Sequence, residues 1–240
     1  MKKILSSLVL LFGLAALPGW CFIETELEVL GFSSDGAYLA FQVSGFGNGS
    51  GIGFSLIQIV DVSANDFAVE DVFIEEELND WTMESLKTAA YSRARPALAA
   101  FGIVAGNTGS LVYELEGKVP WEQSRLTRET AAFSLEDAEG RPRRCELVLE
   151  EREVSAEYCT NLADYDLEPR IFTLSLRGEG FSRVLQEDRV LYRSRHCPYA
   201  YEIYRVYARG DSIAVFLNAR TVGWEGDDVY KLVVTAILDK

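Results

Sequence analysis

The sequence predicts a mainly β fold, with antiparallel sheets in a sandwich-like or partial-barrel-like arrangement and one short helical insertion. Short runs of alternating, β-branched and aromatic residues recur along most of the 240 residues, separated by turn residues such as Asp35-Gly36. Residues 82–104 are instead rich in helix formers. Because the strand-like runs do not alternate with helices, a doubly wound parallel sheet is disfavoured.

The strand-like runs fall on both sides of the helical insertion. The predicted strands are residues 26–32, 37–43, 55–62 and 67–74 before it, and 109–116, 129–135, 145–153, 171–177, 181–187, 200–207, 212–220 and 229–237 after it. Residues 45–53 carry glycine at every second position. A phosphate-binding loop needs a lysine and a following helix, whereas a strand follows here, so the segment is predicted to be a hairpin loop.

The helical insertion has recognisable start and stop signals. Asp80 or Thr82 is the predicted N-cap of a helix over residues 82–95. Pro96 is expected to end or kink this helix, and residues 97–104 to resume as a second helical piece. A weak boundary falls near residue 107, but no linker is evident. We therefore expect residues 21–240 to form a single β-rich domain.

The composition is that of a folded, acidic protein. Hydrophobic residues make up 48% of the chain, and 37 acidic against 23 basic side chains give a net charge of −14. Nucleic acids and anionic membrane surfaces demand clustered positive charge, so neither is an expected partner.

The N-terminus predicts export. Lys2 and Lys3 precede an almost unbroken apolar run over residues 4–17. That run has the length of a signal-peptide core and is too short to span a bilayer, so residues 1–20 are predicted to be a signal peptide. The mature chain is then periplasmic or extracellular, without a transmembrane segment. A lipid anchor on Cys21 is the alternative, disfavoured by the large Trp20 before it.

No catalytic residue or cofactor site is predicted. The chain has a single histidine, His196, no G-x-S-x-G elbow and no C-x-x-C pair, which disfavours a serine hydrolase and a zinc site. Glu225, Asp227 and Asp228 are candidate calcium ligands, because calcium prefers clustered oxygen donors. Their other interpretation is a solvated acidic surface.

The basic stretch is formed by Arg193, Arg195, His196, Arg205 and Arg209. It is expected to form ion pairs within this acidic protein rather than to bind an anion.

The segment G-F-S-S-D-G-A-Y-L-A-F at residues 31–41, with I-Q-I-V-D-V at residues 57–62, resembles a single TolB-type β-propeller repeat. A propeller needs at least four blades, and the motif occurs once, so a complete propeller is not expected.

Nearly the whole mature chain resembles an uncharacterised family of predicted secreted bacterial proteins, a domain of unknown function, with clear motifs at its two ends. The N-terminal motif is F-S-S-D-G-A-Y-L-A-F at residues 32–41. At the C-terminal end the resemblance is carried by R-S-R-H-C-P at residues 193–198, Y-E-I at 201–203 and G-W-E-G-D-D at 223–228. It implies a disulfide between Cys159 and Cys197, which leaves Cys145 free or paired with Cys21. It implies no activity and no catalytic residues.

These observations favour an exported, non-enzymatic envelope protein. It would bind or scaffold an envelope protein or a polysaccharide through exposed sheet edges or loops. The alternative hypothesis is a carbohydrate-active or calcium-dependent protein that uses the carboxylates and aromatic rings near Trp224 and Asp228.

Overall fold

The computed structural model describes residues 23–47, 52–69, 72–77, 82–117, 127–136, 140–223 and 226–238. Within these ranges the chain forms three sheets and one α-helix, α1, over Met83–Ala100. The strands are β1 Ile23–Glu24, β2 Glu26–Phe32, β3 Tyr38–Phe46, β4 Ile52–Asp61, β5 Asp66–Phe67, β6 Val72–Glu77, β7 Ser110–Glu114, β8 Arg128–Glu136, β9 Pro142–Glu153, β10 Arg170–Gly178, β11 Phe181–Glu187, β12 Ala200–Arg209, β13 Ser212–Val222 and β14 Asp227–Ile237.

The N-terminal sheet has the order β2-β3-β4-β5, with β6 also paired to β4. Strand β4 alternates, as its sequence predicts. Ile57 and Ile59 pack against α1, and Val60 packs against the next sheet. This sheet is therefore buried on both faces.

The central sheet has the order β1-β14-β13-β12-β7 and lies in the middle of the molecule. Ala214 and Phe216 of β13 face the N-terminal sheet, whereas Val215 and Leu217 face the outer sheet, which has the order β11-β10-β9-β8. All four side chains are fully buried. A strand covered on both faces carries a continuous apolar run, which is what residues 213–217 show.

The predicted fold class is confirmed. Helix, N-terminal sheet, central sheet and outer sheet stack as layers, and the sheets do not close into a barrel. Pairing is antiparallel in all of them except between β1 and β14, which run parallel. The hairpin predicted around the glycine-rich segment is also present, since Phe46 pairs with Gly53 across β3 and β4.

Two local predictions were wrong. The expected strand over residues 67–74 is split into β5 and β6, which pair with separate parts of β4. Pro96 was expected to end or kink the helix, and it does not end it, because α1 runs through Pro96 to Ala100. The expected second helical piece over residues 97–104 is therefore the last turn of α1, which stops at Ala100. Pro96 lies on the exposed side of α1. Proline has no N–H for the carbonyl four residues before it, and on this side of the helix that carbonyl can bond to water instead. Burial of Ala94 and Leu98 holds the helix on the sheet on either side of it. The predicted N-cap at Thr82 is confirmed.

Candidate functional site

A groove of about 470 Å³ opens where the three sheets meet beside β14, within the range of ligand-binding cavities, roughly 300–1,000 Å³. Residues 230–234 of β14 form its floor. One wall comes from the N-terminal sheet and its β4–β5 turn, and the other from the outer sheet and the turn over residues 194–196. We call this cavity the β14 groove.

The floor of the β14 groove is the outer edge of a strand. At the two ends of the β13–β14 pair, Leu238 donates its N–H to Asp211 and Gly223 donates its N–H to Gly226. The even-numbered residues of β14 therefore bond to β13, and this register continues without a bulge. Antiparallel ladders alternate, so the N–H and C=O groups of the odd-numbered residues point away from β13.

Both ends of this edge are occupied. Thr25 Oγ1 donates a 3.0 Å hydrogen bond to Val229 O, and the N–H of Thr235 donates a 2.7 Å bond to Asn65 Oδ1. Arg183 Nη1 donates to Ile237 O at 2.6 Å. Between these closures Val233 lines the groove, and no residue in the described ranges is hydrogen-bonded to its outward N–H and C=O.

A chain of partly buried polar contacts stiffens the groove beside this edge. Asn65 Nδ2 donates to Gln186 Oε1 at 2.8 Å, and Gln186 Nε2 donates to Asp188 Oδ1 at 2.7 Å. The same Asp188 oxygen lies 3.1 Å from Arg195 Nη2, and the Asp188 carboxylate is buried. The Arg195 guanidinium also lies 5.1 Å from the ring centroid of Phe172. Together with the hydrogen bond from Thr235 to Asn65, these contacts connect all three sheets around the β14 groove.

The second wall contains a tight turn over residues 193–197, which we call the His196 turn. The His196 ring stacks on Tyr230 with 4.7 Å between centroids and 15° between planes. The backbone φ angles of His196 and Cys197 are +56° and +55°. This left-handed region is costly for residues with a Cβ atom. A 2.6 Å hydrogen bond from Thr221 Oγ1 to His196 O also holds the turn.

The predicted disulfide between Cys159 and Cys197 is confirmed, with 5.5 Å between the two Cα atoms. It lies in a small buried cluster with Leu162 and Tyr199. Cys145 is free and buried, and burial raises the pKa of its thiol. Cys21 lies outside the described residues.

Two carboxyl groups with raised pKa values, Glu129 and Glu151, were missed at the sequence level. Glu151 Oε1 accepts the N–H of Tyr201 at 3.1 Å, and Glu129 Oε2 accepts the N–H of Ile203 at 3.0 Å. These two carboxylates accept the outward N–H groups of β12 in the part of the strand that does not pair with β7. Burial raises the pKa of each carboxyl to about 7. No sequence signal separated these two glutamates from the many exposed ones, because burial alone distinguishes them.

The candidate calcium ligands are not gathered into one site by the described residues. Asp227 and Asp228 are consecutive in β14 and so point to opposite faces of the sheet. Asp227 Oδ2 lies 3.8 Å from Arg220 Nη1, and the Asp228 carboxylate lies against Gly223. Glu225 and Trp224 lie outside the described residues. Within the described ranges, no group of three His, Cys, Asp or Glu side chains is arranged to hold a metal ion.

The basic stretch is used for internal ion pairs. Arg195 pairs with Asp188 at 3.1 Å, and Arg205 pairs with Glu114 at 2.6 Å. The predicted ion pairing is therefore confirmed for these two arginines. Arg193 instead lies over a tyrosine ring.

The comparisons with known proteins identify a family. The family model described as "Predicted secreted protein (DUF2259)" matches residues 40–236. The chain belongs to the DUF2259 family. The family description supports the predicted secretion and names no activity. No curated protein and no solved structure matches the chain. Among the described residues of this DUF2259 protein, no helix is long and apolar enough to cross a membrane.

Proposed function

We propose that this protein is a secreted binding module that takes an extended peptide segment of a partner protein as an added strand beside β14. The observation that carries the proposal is the outward backbone N–H and C=O of Val233, which face the β14 groove between two closed ends of the strand edge. An unpaired strand edge is a template for an incoming strand, and several peptide-binding domains use this mode of recognition.

The walls of the β14 groove suit an extended peptide with two different faces. A peptide strand turns successive side chains to opposite sides. On the side of the N-terminal sheet it would meet Leu56, Gln58 and Val60, and on the side of the outer sheet Tyr230 and His196. Apolar side chains of the peptide would contact Leu56 and Val60 on the first wall, where Gln58 adds a polar group, and polar or aromatic side chains would contact the second wall.

The same proposal covers how the protein is exported and where it works. Residues 1–20 act as the signal peptide, residues 21–240 form one domain, and the mature protein works in the periplasm or outside the cell. The single TolB-type repeat is part of the N-terminal sheet and not of a propeller. The partner is an envelope protein rather than nucleic acid.

The calcium-dependent alternative keeps its own test. A ligand present at a hundred times its dissociation constant adds about 2.7 kcal/mol of stability. Absence of a thermal shift with calcium would contradict this alternative.

The peptide-binding proposal is tested at Val233. Peptides are first selected from a library of random, unstructured sequences on the mature protein, and the selected peptides then serve as probes in fluorescence anisotropy. Val233→Pro removes the outward N–H but no bond to β13. We expect it to weaken peptide binding about tenfold, the loss of roughly 1.4 kcal/mol. Val233→Thr keeps both backbone groups and the β-branched shape, and should bind like the wild type.

The peptides provide a second readout that does not depend on how well the proline variant folds. N-methylation of a probe at alternate residues should weaken its binding to the wild-type protein, because every second N–H would be paired with β14. Equal binding by Val233→Pro and by all N-methylated probes contradicts the proposal. So does a thermal shift with an envelope polysaccharide when no peptide binds.

A further inference from the structure

The wall of the β14 groove beside Tyr230 depends on a turn that its own sequence does not favour. His196 and Cys197 both have left-handed φ angles, +56° and +55°. Glycine adopts such angles freely, but neither residue is glycine, so the isolated segment would relax to another conformation. A force from outside the turn must hold it.

The disulfide supplies that force. Cys197 belongs to the His196 turn, and its partner Cys159 lies 38 residues earlier, in the connection between β9 and β10. Apolar neighbours bury this bond, among them Leu162 and Leu191. The other restraints on the turn are noncovalent: the hydrogen bond from Thr221 to the His196 carbonyl, the ion pair between Arg195 and Asp188, and the stacking of His196 on Tyr230. The disulfide is the covalent restraint among them.

The His196 turn positions one wall of the β14 groove. His196 is the residue directly before Cys197, and its ring stacks on Tyr230, which is part of the groove floor. A change in the backbone at Cys197 therefore moves a side chain that lines the β14 groove. The cores on the two faces of the central sheet lie in other clusters, and only the ends of β12 and β13, at Ala200 and Val222, pack beside this bond.

We infer that the β14 groove becomes competent to bind peptide only when the Cys159–Cys197 disulfide forms, so that oxidation after export switches the site on. This inference rests on the proposed peptide-binding function. A protein disulfide of the oxidising compartment would act as the oxidant. One Cys thiolate attacks it to give a mixed disulfide, and the second Cys thiolate displaces the oxidant's thiol. The chain loses two electrons and two protons, and the oxidant becomes a dithiol.

Burial makes the switch one-way. Cys159 and Cys197 are only 6% and 9% exposed, so a dithiol reaches the finished bond poorly. A chain held reduced before export would keep the groove wall relaxed, and would not bind extended segments of other proteins there.

The single histidine of the chain is a direct probe of the turn. In an NMR spectrum its ring protons are the only histidine signals, and stacking on Tyr230 shifts them by the ring current. We expect the Cys159→Ala/Cys197→Ala variant to lose this shift and to bind the selected peptides at least tenfold more weakly. Cys145→Ala, which removes a cysteine outside the disulfide, is the matched control and should keep both.

A rescue variant separates backbone conformation from cross-linking. In Cys159→Ala/Cys197→Gly, glycine takes the positive φ without cost. This variant should regain part of the His196 shift and part of the affinity, although it has no disulfide. If the Cys159→Ala/Cys197→Ala variant folds poorly, the His196 shift and the peptide affinity are compared between Cys159→Ala/Cys197→Gly and the wild type instead.

The outcomes are distinguishable. If the wild type binds no peptide, the proposed function fails. Independently of that result, an unchanged His196 shift in the Cys159→Ala/Cys197→Ala variant overturns the inference. If the shift is lost but peptide affinity is unchanged, the inference fails and the proposed function stands. The inference is supported if the Cys159→Ala/Cys197→Ala variant loses both the His196 shift and the peptide affinity while Cys145→Ala keeps both.

Discussion

The side chain of Asn65 takes the place of a neighbouring strand beside Thr235. Its Oδ1 accepts the backbone N–H of Thr235 at 2.7 Å, although 170 residues separate the two in sequence. Its Nδ2 at the same time donates to Gln186 on the outer sheet. Asn65 has a left-handed φ of +53°, which asparagine tolerates better than most residues. One turn residue thus closes the edge of the central sheet and joins three layers.

Replacing Asn65 with Ala should destabilise the protein by about 1–3 kcal/mol, because the N–H of the buried Thr235 loses its acceptor. Urea unfolding measures the loss. Asn65→Asp keeps the oxygen for Thr235 but not the donor to Gln186, so its loss should be smaller. An Asn65→Ala protein as stable as the wild type would show that this bond contributes nothing.

Stability should fall as pH rises from about 5 to 8. An exposed glutamate titrates near 4.5, whereas burial raises the pKa of Glu129 and Glu151 to about 7. Between these values the folded state binds more protons than the unfolded state, so the free energy of unfolding decreases with pH and levels off above about pH 8. Urea unfolding at several pH values and constant ionic strength measures this slope.

Glu129→Gln should flatten this pH dependence, because the amide still accepts the N–H of Ile203 but carries no charge. Glu150→Gln, at a half-exposed site on the neighbouring strand, is the control and should keep the wild-type slope. If the free energy of unfolding of Glu129→Gln depends on pH as steeply as that of the wild type, Glu129 is not a source of the pH dependence.

Gly31→Ala should destabilise the protein by about 3 kcal/mol or more, because it combines backbone strain with a steric clash. Gly31 has a φ of +150°, and a Cβ atom there would lie 2.2 Å from the carbonyl oxygen of Val104. Gly102 also has a positive φ, +63°, but open space around it. Gly102→Ala should therefore cost only about 1 kcal/mol. Equal losses in thermal unfolding would exclude the clash as the cause.

Pro96→Ala should stabilise α1 by up to about 3 kcal/mol, since alanine restores a helical N–H and removes the clash of the proline ring. The expected readout is a higher urea midpoint with an unchanged slope. Arg95→Ala, at the preceding exposed position, should change stability by less than about 0.5 kcal/mol. A Pro96→Ala protein that is less stable would show that the proline is required for packing on the N-terminal sheet.

The features that the sequence predicted depend on neighbours along the chain. Strand β2 was predicted with its observed bounds because alternation over seven residues is itself the strand signal. Thr82 was a correct N-cap candidate because a cap bonds within its own first turn. Pro96 was misjudged for the opposite reason, since packing of α1 on the N-terminal sheet outweighs a local preference. The bonds from Asn65 to Thr235 and Gln186 had no local signal at all.

By itself, the sequence determined that this protein is a β-rich, acidic chain with one helix, and it pointed to the family of predicted secreted proteins and to the Cys159–Cys197 pair. The β-rich fold and the helix follow from periodicity and capping, and the acidic character from composition, whereas the cysteine pair is implied by the family resemblance. Only the tertiary structure decided the order of the strands, the open edge at Val233, the left-handed His196 turn and the buried state of Glu129 and Glu151. Each of these features depends on contacts between segments that are distant in the sequence. The free energy of burial is gained only when the layers pack together, so no single segment of the chain carries a signal for it.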